Sequence, residues 1–123
     1  MLQVRDAAAS GVLVEILFYI SHRILHTRHF YKYHKLHHSY KAPIALAALY
    51  AHPIEAMLGN SIAVMAPAYI TGIHAFSWVW GVALGFVSTQ AKHSGFAIDG
   101  VAHDRHHQYS NVEFGHFGAM DYM

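Results

Sequence analysis

Residues 53–91 read PIEAMLGNSIAVMAPAYITGIHAFSWVWGVALGFVSTQA, and this stretch constrains the fold more than any other part of the chain. It contains one acidic residue, Glu55, near its start, and neither lysine nor arginine. Its length is close to twice the roughly 20 residues with which one helix crosses a bilayer. The sequence TGIH at 71–74 supplies a turn near its midpoint. We therefore expect two helices, over about 54–70 and 75–91, that form a transmembrane hairpin.

The segments on either side of this stretch are rich in histidine. A hairpin returns the chain to the side of the membrane that it left, so the two segments are expected to meet. Spacings of three and four residues place imidazoles on one helix face, one turn apart, and neutral imidazole is a common metal ligand. We expect three such faces to converge on two adjacent metal ions. The clusters are His22/His26, His34/His37/His38 and His103/His106/His107.

The other five histidines lie outside these clusters. His93 lies alone where the apolar stretch ends, and we expect it to be a ninth ligand. His52 precedes a proline at the start of the stretch and is a candidate to support a ligand or line the site rather than bind metal. His29 and His116 lack partners at helical spacing and are expected to be exposed or to lie behind the ligands. His74 is expected at the tip of the hairpin.

The composition favours a membrane protein. Hydrophobic residues make up 54% and charged residues 12% of the chain, against about 45–50% and about 25% in soluble domains. The absence of cysteine excludes disulfides, thiolate zinc sites and iron–sulfur clusters. A formal net charge of +1 gives no reason to expect a nucleic-acid partner.

The few charges indicate a topology. Seven basic residues lie on the histidine side of the apolar stretch and none at the expected tip, and the positive-inside rule places that side in the cytosol. They are Arg23, Arg28, Lys32, Lys35, Lys41, Lys92 and Arg105. The apolar run at 7–20 is too short for a complete span and is interpreted as the end of one. The expected fold is an all-α integral-membrane helical bundle with a transmembrane hairpin and a cytosolic, histidine-rich cap.

Ligand number narrows the kind of metal site. A structural zinc site closes with four ligands, so eight or nine histidines suit two ions rather than one. Imidazole binds zinc, copper, iron and nickel alike, and residue types alone do not choose among them. No His-Glu-x-x-His is present, which disfavours a zinc protease. Carboxylates are scarce near the clusters, which argues against a glutamate-rich di-iron bundle.

Two kinds of non-catalytic protein, haem-binding proteins and metal transporters, also use histidine ligands in membranes. A haem-binding membrane protein needs two axial histidines per haem, which leaves the triplets unexplained. A metal transporter would carry its ligands inside the spans near the bilayer midplane, whereas these clusters lie outside the apolar stretch. Both alternatives explain less of the pattern than a site with two metal ions.

The order of the histidine boxes resembles the fatty acid hydroxylase and sterol desaturase superfamily of membrane di-iron oxygenases. The boxes are HRILH at 22–26, HKLHH at 34–38, His93 before Ser-Gly, and HDRHH at 103–107. The stretches YKYHKLHH at 31–38, AP at 42–43, YAHPIE at 50–55 and HSGF at 93–96 are most similar to the C-4 methylsterol oxidase branch.

The resemblance implies two iron ions, O₂ as the oxidant, and electrons from NAD(P)H that arrive through a haem electron-carrier protein and its reductase. It implies a lipid or sterol substrate, and it leaves open whether the reaction is hydroxylation or desaturation. It implies no catalytic residue beyond the metal ligands. The implied location is the endoplasmic reticulum or a bacterial inner membrane.

The chain also departs from the superfamily. Members usually have more spans before the first box than the run at 7–20, and AMDYM at 119–123 resembles the start of their closing element. We therefore expect one domain of this type over 1–123, truncated at both ends, and an inactive fragment with a histidine metal site is the alternative function. Thr89 and Gln90 occupy positions where some relatives have a further histidine or asparagine.

Overall fold

The computed structural model describes residues 2–42, 44–95, 100–116 and 118–122. All regular structure in this part of the chain is helical, as the sequence predicts. A π-helical turn, Ala56–Ser61, joins α3 to α4, and three short 3₁₀ turns cover His37–Ser39, Ala45–Leu49 and Ala119–Tyr122. The helices are α1 (Leu2–Leu25), α2 (Tyr31–His34), α3 (Pro53–Glu55), α4 (Ile62–Thr71), α5 (Ala75–Lys92) and α6 (Gly100–Tyr109).

Helix α1 is longer than the apolar run at 7–20 suggested. It has 24 residues, and its part Val4–Leu25 is the one stretch within the described residues that is long and apolar enough to cross a membrane, by length and composition alone. The interpretation of this run as too short for a span is therefore corrected. The helix continues past Ile20 into the first histidine box, so His22 lies on the same rigid element as the apolar run.

The turn near the midpoint of 53–91 lies where the sequence predicts it. Gly72 ends α4 with φ 63°, a left-handed conformation that glycine adopts without steric cost. Helix α5 begins after His74, whose Nδ1 accepts a hydrogen bond from the Phe76 N–H at 3.2 Å. The two halves do not pack mainly on each other, however. Helix α4 packs along α1, whereas α5 contacts the Ala45–Leu49 turn and α6.

The π-helical turn brings α1 against the start of the 53–91 stretch. Gly59 is buried there, and a Cβ atom at this position would lie 3.0 Å from Leu25 Cδ1. The Ser21 Oγ also donates to the Gly59 carbonyl at 3.4 Å. Glycine thus permits a close contact that fixes the carboxyl end of α1, with His22, beside the π-helical turn.

Residues 21–41 contain neither proline nor glycine, so the sequence predicts a helix or a helix pair that Pro43 ends. The structure divides this segment further after α1. Thr27 follows the helix, and its Oγ1 donates to the Ile24 carbonyl at 2.7 Å, a local bond that competes with helix continuation. The chain then turns into the four-residue helix α2 and the 3₁₀ turn His37–Ser39. Pro43, the expected helix breaker, lies outside the described residues.

Candidate metal centre

The interior of the described part consists largely of imidazoles. His34 is 2% exposed, and His106 and His107 are 0% exposed. The buried hydrophobic residues among those described are few and mostly small: Leu25, Ala47, Ala48 and Ala63. Burying polar rings in place of a hydrophobic core costs free energy unless their nitrogens find partners. The hydrogen-bond partners of the ring nitrogens therefore determine which nitrogens remain available to bind a ligand.

All nine predicted ligands lie together in two groups. In each group every histidine offers one ring nitrogen, and these nitrogens lie within 4.8 Å of one another. We call them the five-histidine group and the four-histidine group. The five-histidine group is His22, His26, His34, His38 and His106, and the four-histidine group is His37, His93, His103 and His107.

Contrary to the prediction from the sequence, the triplets do not each present a single face. Instead, the three histidines of each triplet are divided between the two groups. Residues four apart stay together, as in the pairs 22/26, 34/38 and 103/107. The neighbouring histidines, His37 and His106, join the other group because adjacent side chains on a helical turn point about 100° apart. Each His-His doublet therefore links the two groups.

Backbone carbonyls determine which nitrogen of several rings faces the centre. A carbonyl oxygen can only accept, so a ring nitrogen bonded to one carries the proton, and the other nitrogen presents a lone pair. Four rings are held in this way through Nδ1. The bonds are His22 to Phe114 at 2.8 Å, His93 to Thr89 at 2.8 Å, His106 to Val112 at 2.6 Å and His107 to Tyr40 at 3.1 Å.

The Nε2 atoms converge at distances that suit a shared cation. The contacts are His22–His34 at 3.1 Å, His26–His106 at 3.1 Å, His34–His38 at 3.0 Å, His37–His93 at 3.2 Å, His93–His103 at 2.9 Å and His103–His107 at 3.2 Å.

These contacts cannot all be hydrogen bonds. The Nε2 atom of His103, for example, lies between the lone pairs of His93 and His107 and has at most one proton to share. Two nitrogen ligands of one metal ion, each about 2.1 Å from it, lie at most about 4.2 Å apart. The observed contacts are shorter than this limit, so the rings of each group can share a metal ion.

The electrostatics favour neutral rings. Burial, followed by repulsion from neighbouring imidazoles, lowers the pKa of His26 to about 3 and that of His107 to about 3. The same two causes lower the pKa of His34 to about 2, and burial lowers that of His37 to about 4. A neutral imidazole is the form that binds metal. The centre is therefore held in its binding form at neutral pH.

One residue of the centre was missed. Glu55 Oε1 lies 2.8 Å from His34 Nδ1, and both side chains are buried. This corrects the expectation that carboxylates are scarce near the clusters. A carboxylate behind a ligating histidine fixes the ring and increases its basicity. The sequence did contain a signal, because a single acidic residue at the edge of a long apolar stretch is costly to bury without a partner.

The remaining histidines lie outside both groups. His52 Nδ1 accepts the Ile54 N–H at 3.2 Å, so it caps α3 instead of touching a ligand. His29 and His74 are exposed, as expected. His116 is half-buried, with its ring 5.6 Å from that of Phe18, and burial lowers its pKa to about 4.

An apolar cavity of about 640 Å³ opens onto the histidines. Its walls come from α1, α4 and α5, and include Val14, Val64 and Val82. It reaches both groups from one side, because its lining includes His22, His34, His37, His93 and His103 but not His26, His38, His106 or His107. Cavities of about 300–1,000 Å³ with mostly apolar walls are typical of sites for small organic ligands. A hydrophobic molecule in this cavity would approach both metal positions at once.

Replacement of the Glu55 carboxyl group by an amide tests its support of His34. We expect Glu55→Gln to weaken metal binding by about 10–100-fold, the usual effect of losing such a partner. His52→Ala is the matched control three residues away: it removes a helix cap worth about 1 kcal/mol and should leave metal affinity unchanged. Metal titration and thermal unfolding of both variants measure the two effects. Equal metal affinity in wild type and Glu55→Gln would contradict this role.

Known proteins of similar sequence belong to the family that the histidine boxes resemble. The profile of the fatty acid hydroxylase family matches residues 7–123. The chain is 37% identical to human "Fatty acid hydroxylase domain-containing protein 2", over 96% of this chain and 37% of that protein. It is 35% identical to "Fatty acid hydroxylase ahd1" of Mycosarcoma maydis, over 89% of this chain and 30% of that protein.

A plant sterol enzyme is similar as well. "Methylsterol monooxygenase 2-1" of Arabidopsis thaliana is 37% identical over 69% of this chain and 31% of that protein. The chain thus spans about a third of the length of these relatives. No solved structure matches it. With its profile match over nearly the whole chain and its relatives among hydroxylases and sterol monooxygenases, the protein belongs to the fatty acid hydroxylase family, within the fatty acid hydroxylase and sterol desaturase superfamily.

Proposed function

We propose that this protein is a membrane non-haem di-iron oxygenase that uses O₂ to hydroxylate or desaturate a lipid. The observation that carries the proposal is the position of two histidine groups side by side at the end of one apolar cavity. The family supplies the reaction class, since its named members include a hydroxylase and a sterol monooxygenase. The ligands would be the nine histidines of the two groups.

Iron suits this function better than zinc. Zinc has no redox chemistry, and its structural sites close with four ligands, whereas one group here offers five imidazoles. Bound in the two groups, an iron pair would supply the electrons and the binding position for reduction of O₂. Neutral imidazoles leave such ions with their full positive charge, which favours oxidation of an unreactive C–H bond.

The protein's own contribution to the reaction would be positioning and exclusion of water. The cavity ends at His22 and His34 of one group and at His37, His93 and His103 of the other. A lipid carbon held there would face both metal positions from the same side. Fixing reactants in this way removes much of the entropic cost of the encounter. No described side chain needs to act as a nucleophile.

A membrane setting supports the same function. Helix α1 is long and apolar enough to span a bilayer, and we propose that 53–91 enters the same membrane as a hairpin. The basic side chains of Arg23, Arg28, Lys32, Lys35 and Arg105 are exposed at the histidine end, which indicates a cytosolic face. That face would receive electrons from NAD(P)H through a haem electron carrier and its reductase, in the endoplasmic reticulum or a bacterial inner membrane.

Lipid analysis of cells that express the chain tests the proposed reaction. We expect a lipid that gains one oxygen atom or loses two hydrogen atoms in cells with the wild-type chain, and no change in cells with His38→Ala at equal protein level. Mass spectrometry of total lipids measures the product. Identical lipids in both strains, with the wild-type chain loaded with iron, would contradict catalysis and favour the inactive fragment.

A further inference from the structure

Three of the five rings in the five-histidine group are held by one short segment near the end of the chain. The segment is 110–115, which we call the strap. Its Phe114 carbonyl accepts from His22 Nδ1 at 2.8 Å, and its Val112 carbonyl accepts from His106 Nδ1 at 2.6 Å. The hydroxyl group of Ser110, at its start, lies 3.5 Å from His38 Nδ1.

Asp121 makes two hydrogen bonds to the backbone of the strap. Asp121 Oδ1 accepts the Phe114 N–H at 2.7 Å, and Oδ2 accepts the Gly115 N–H at 2.9 Å. The Gly115 N–H and the Phe114 C=O belong to the same planar peptide group. The bond to Asp121 therefore fixes the plane whose opposite side bonds to His22. Hydrogen bonds linked through one peptide group strengthen each other.

The strap would not keep this shape unaided. Ser110 and Glu113 both have left-handed backbones, with φ 59° and 58°, a conformation that is unfavourable for residues other than glycine. Gly115 lies so close to the acidic side chains that a Cβ atom there would be 2.7 Å from Glu15 Oε1 and 2.9 Å from Asp121 Oδ2. Strained backbone persists where surrounding contacts impose it, and the two Asp121 bonds are such contacts.

The four-histidine group has different supports. His93 Nδ1 bonds to the Thr89 carbonyl, inside α5, and His107 Nδ1 bonds to the Tyr40 carbonyl. Neither support belongs to the strap. A change in the strap should therefore alter one metal position and spare the other.

We propose that Asp121 is a positioning residue for the five-histidine group: through the Phe114–Gly115 peptide it fixes the orientation and the proton position of His22, and through the strap it fixes those of His106. The inference rests on the proposed metal site, but it requires neither iron nor catalysis. Its predicted consequence is selective, since loss of Asp121 lowers the affinity of the five-histidine group alone.

Cobalt(II) titration of the purified full chain in detergent tests the proposal, because the metal reports each binding phase optically. Asp121→Asn places a donor against a backbone N–H and should weaken one of two phases by about 10–100-fold. Glu113→Gln is the matched control: it removes a charge from the same strap, but that carboxylate pairs with Arg105 at 3.1 Å. The control should leave both phases unchanged, and Asp121→Glu, which keeps both acceptor oxygens, should retain more affinity than Asp121→Asn.

Nitrogen-15 NMR of the zinc-loaded chain shows which ring nitrogen of each histidine carries the proton. A merely structural role of Asp121 would leave these proton positions unchanged. In the wild type His22 and His106 should carry their protons on Nδ1, and in Asp121→Asn at least one should show mixed proton positions while His93 and His107 keep theirs. Equal weakening of both cobalt phases, or unchanged phases with unchanged proton positions, would overturn the proposal. A wild type that binds two cobalt ions without oxidising any lipid would contradict the proposed function and leave this inference standing.

Discussion

Alanine at His38 or at His107 is expected to abolish lipid oxidation and to empty one metal position each, not both. His38 belongs to the five-histidine group and His107 to the four-histidine group. Each replacement removes one inward-facing nitrogen from a buried centre in which the described part of the chain contains no cysteine to substitute. The proposed reaction needs both positions, so either loss should reduce product formation to the level of cells without the protein.

Alanine at any of the other seven predicted ligands is expected to have the same two effects: loss of lipid oxidation, and loss of metal from the group that contains the replaced histidine. His29→Ala is the control, because His29 is exposed and lies in neither group, and it should retain most activity and all metal. Metal analysis and product formation measure both effects. Full activity of His38→Ala, or loss of activity in His29→Ala, would show that other side chains form the site.

Leucine at Gly85 or Gly81 is expected to shorten the longest chain that the cavity admits. Both glycines line the cavity, and a Cβ atom at either would meet nothing within 4 Å. Neither close packing nor a left-handed backbone thus explains glycine in a helix, where it costs about 1 kcal/mol relative to alanine. At a rise of 1.5 Å per residue the two positions lie about 12 and 18 Å along the helix from His93.

The two variants should therefore differ in the longest chain that the cavity admits. In Gly85→Leu the limit should fall at shorter chains than in Gly81→Leu, because Gly85 lies closer to the histidines. Ala83→Leu adds bulk to an exposed residue between them that does not line the cavity, and should leave the limit unchanged. Competition among saturated fatty alcohols of increasing length for the purified chain measures the limit. The same limit in all three variants and the wild type would contradict a substrate chain along α5.

The helices of the apolar stretch were predictable because their signals are local. The turn at 71–74 contains the glycine that takes the left-handed conformation, and the helical residues on either side end within one residue of the expected 54–70 and 75–91. The break after α1 was harder to foresee. At that point Thr27 Oγ1 bonds to its own preceding turn and competes with the helix, and nothing in the periodicity of the histidines marks it.

The gathering of the nine histidines was predictable from spacing, whereas their division into two groups and the supports of their rings were not. Residues four apart share a group in every box, but whether a neighbouring histidine joins them depends on how the boxes meet in space. The supports of the rings are mostly backbone carbonyls, such as Phe114 with His22 and Tyr40 with His107, far apart in sequence. Side-chain identity carries no signal for such bonds. Glu55 differs, because its burial in an apolar stretch demanded a partner.

The most direct test of two adjacent metals is the iron content of the chain, purified in detergent after anaerobic loading. The two histidine groups predict close to two iron ions per chain and an absorption spectrum without a haem Soret band. A content near one iron per chain, or a strong Soret band, would contradict the di-iron centre.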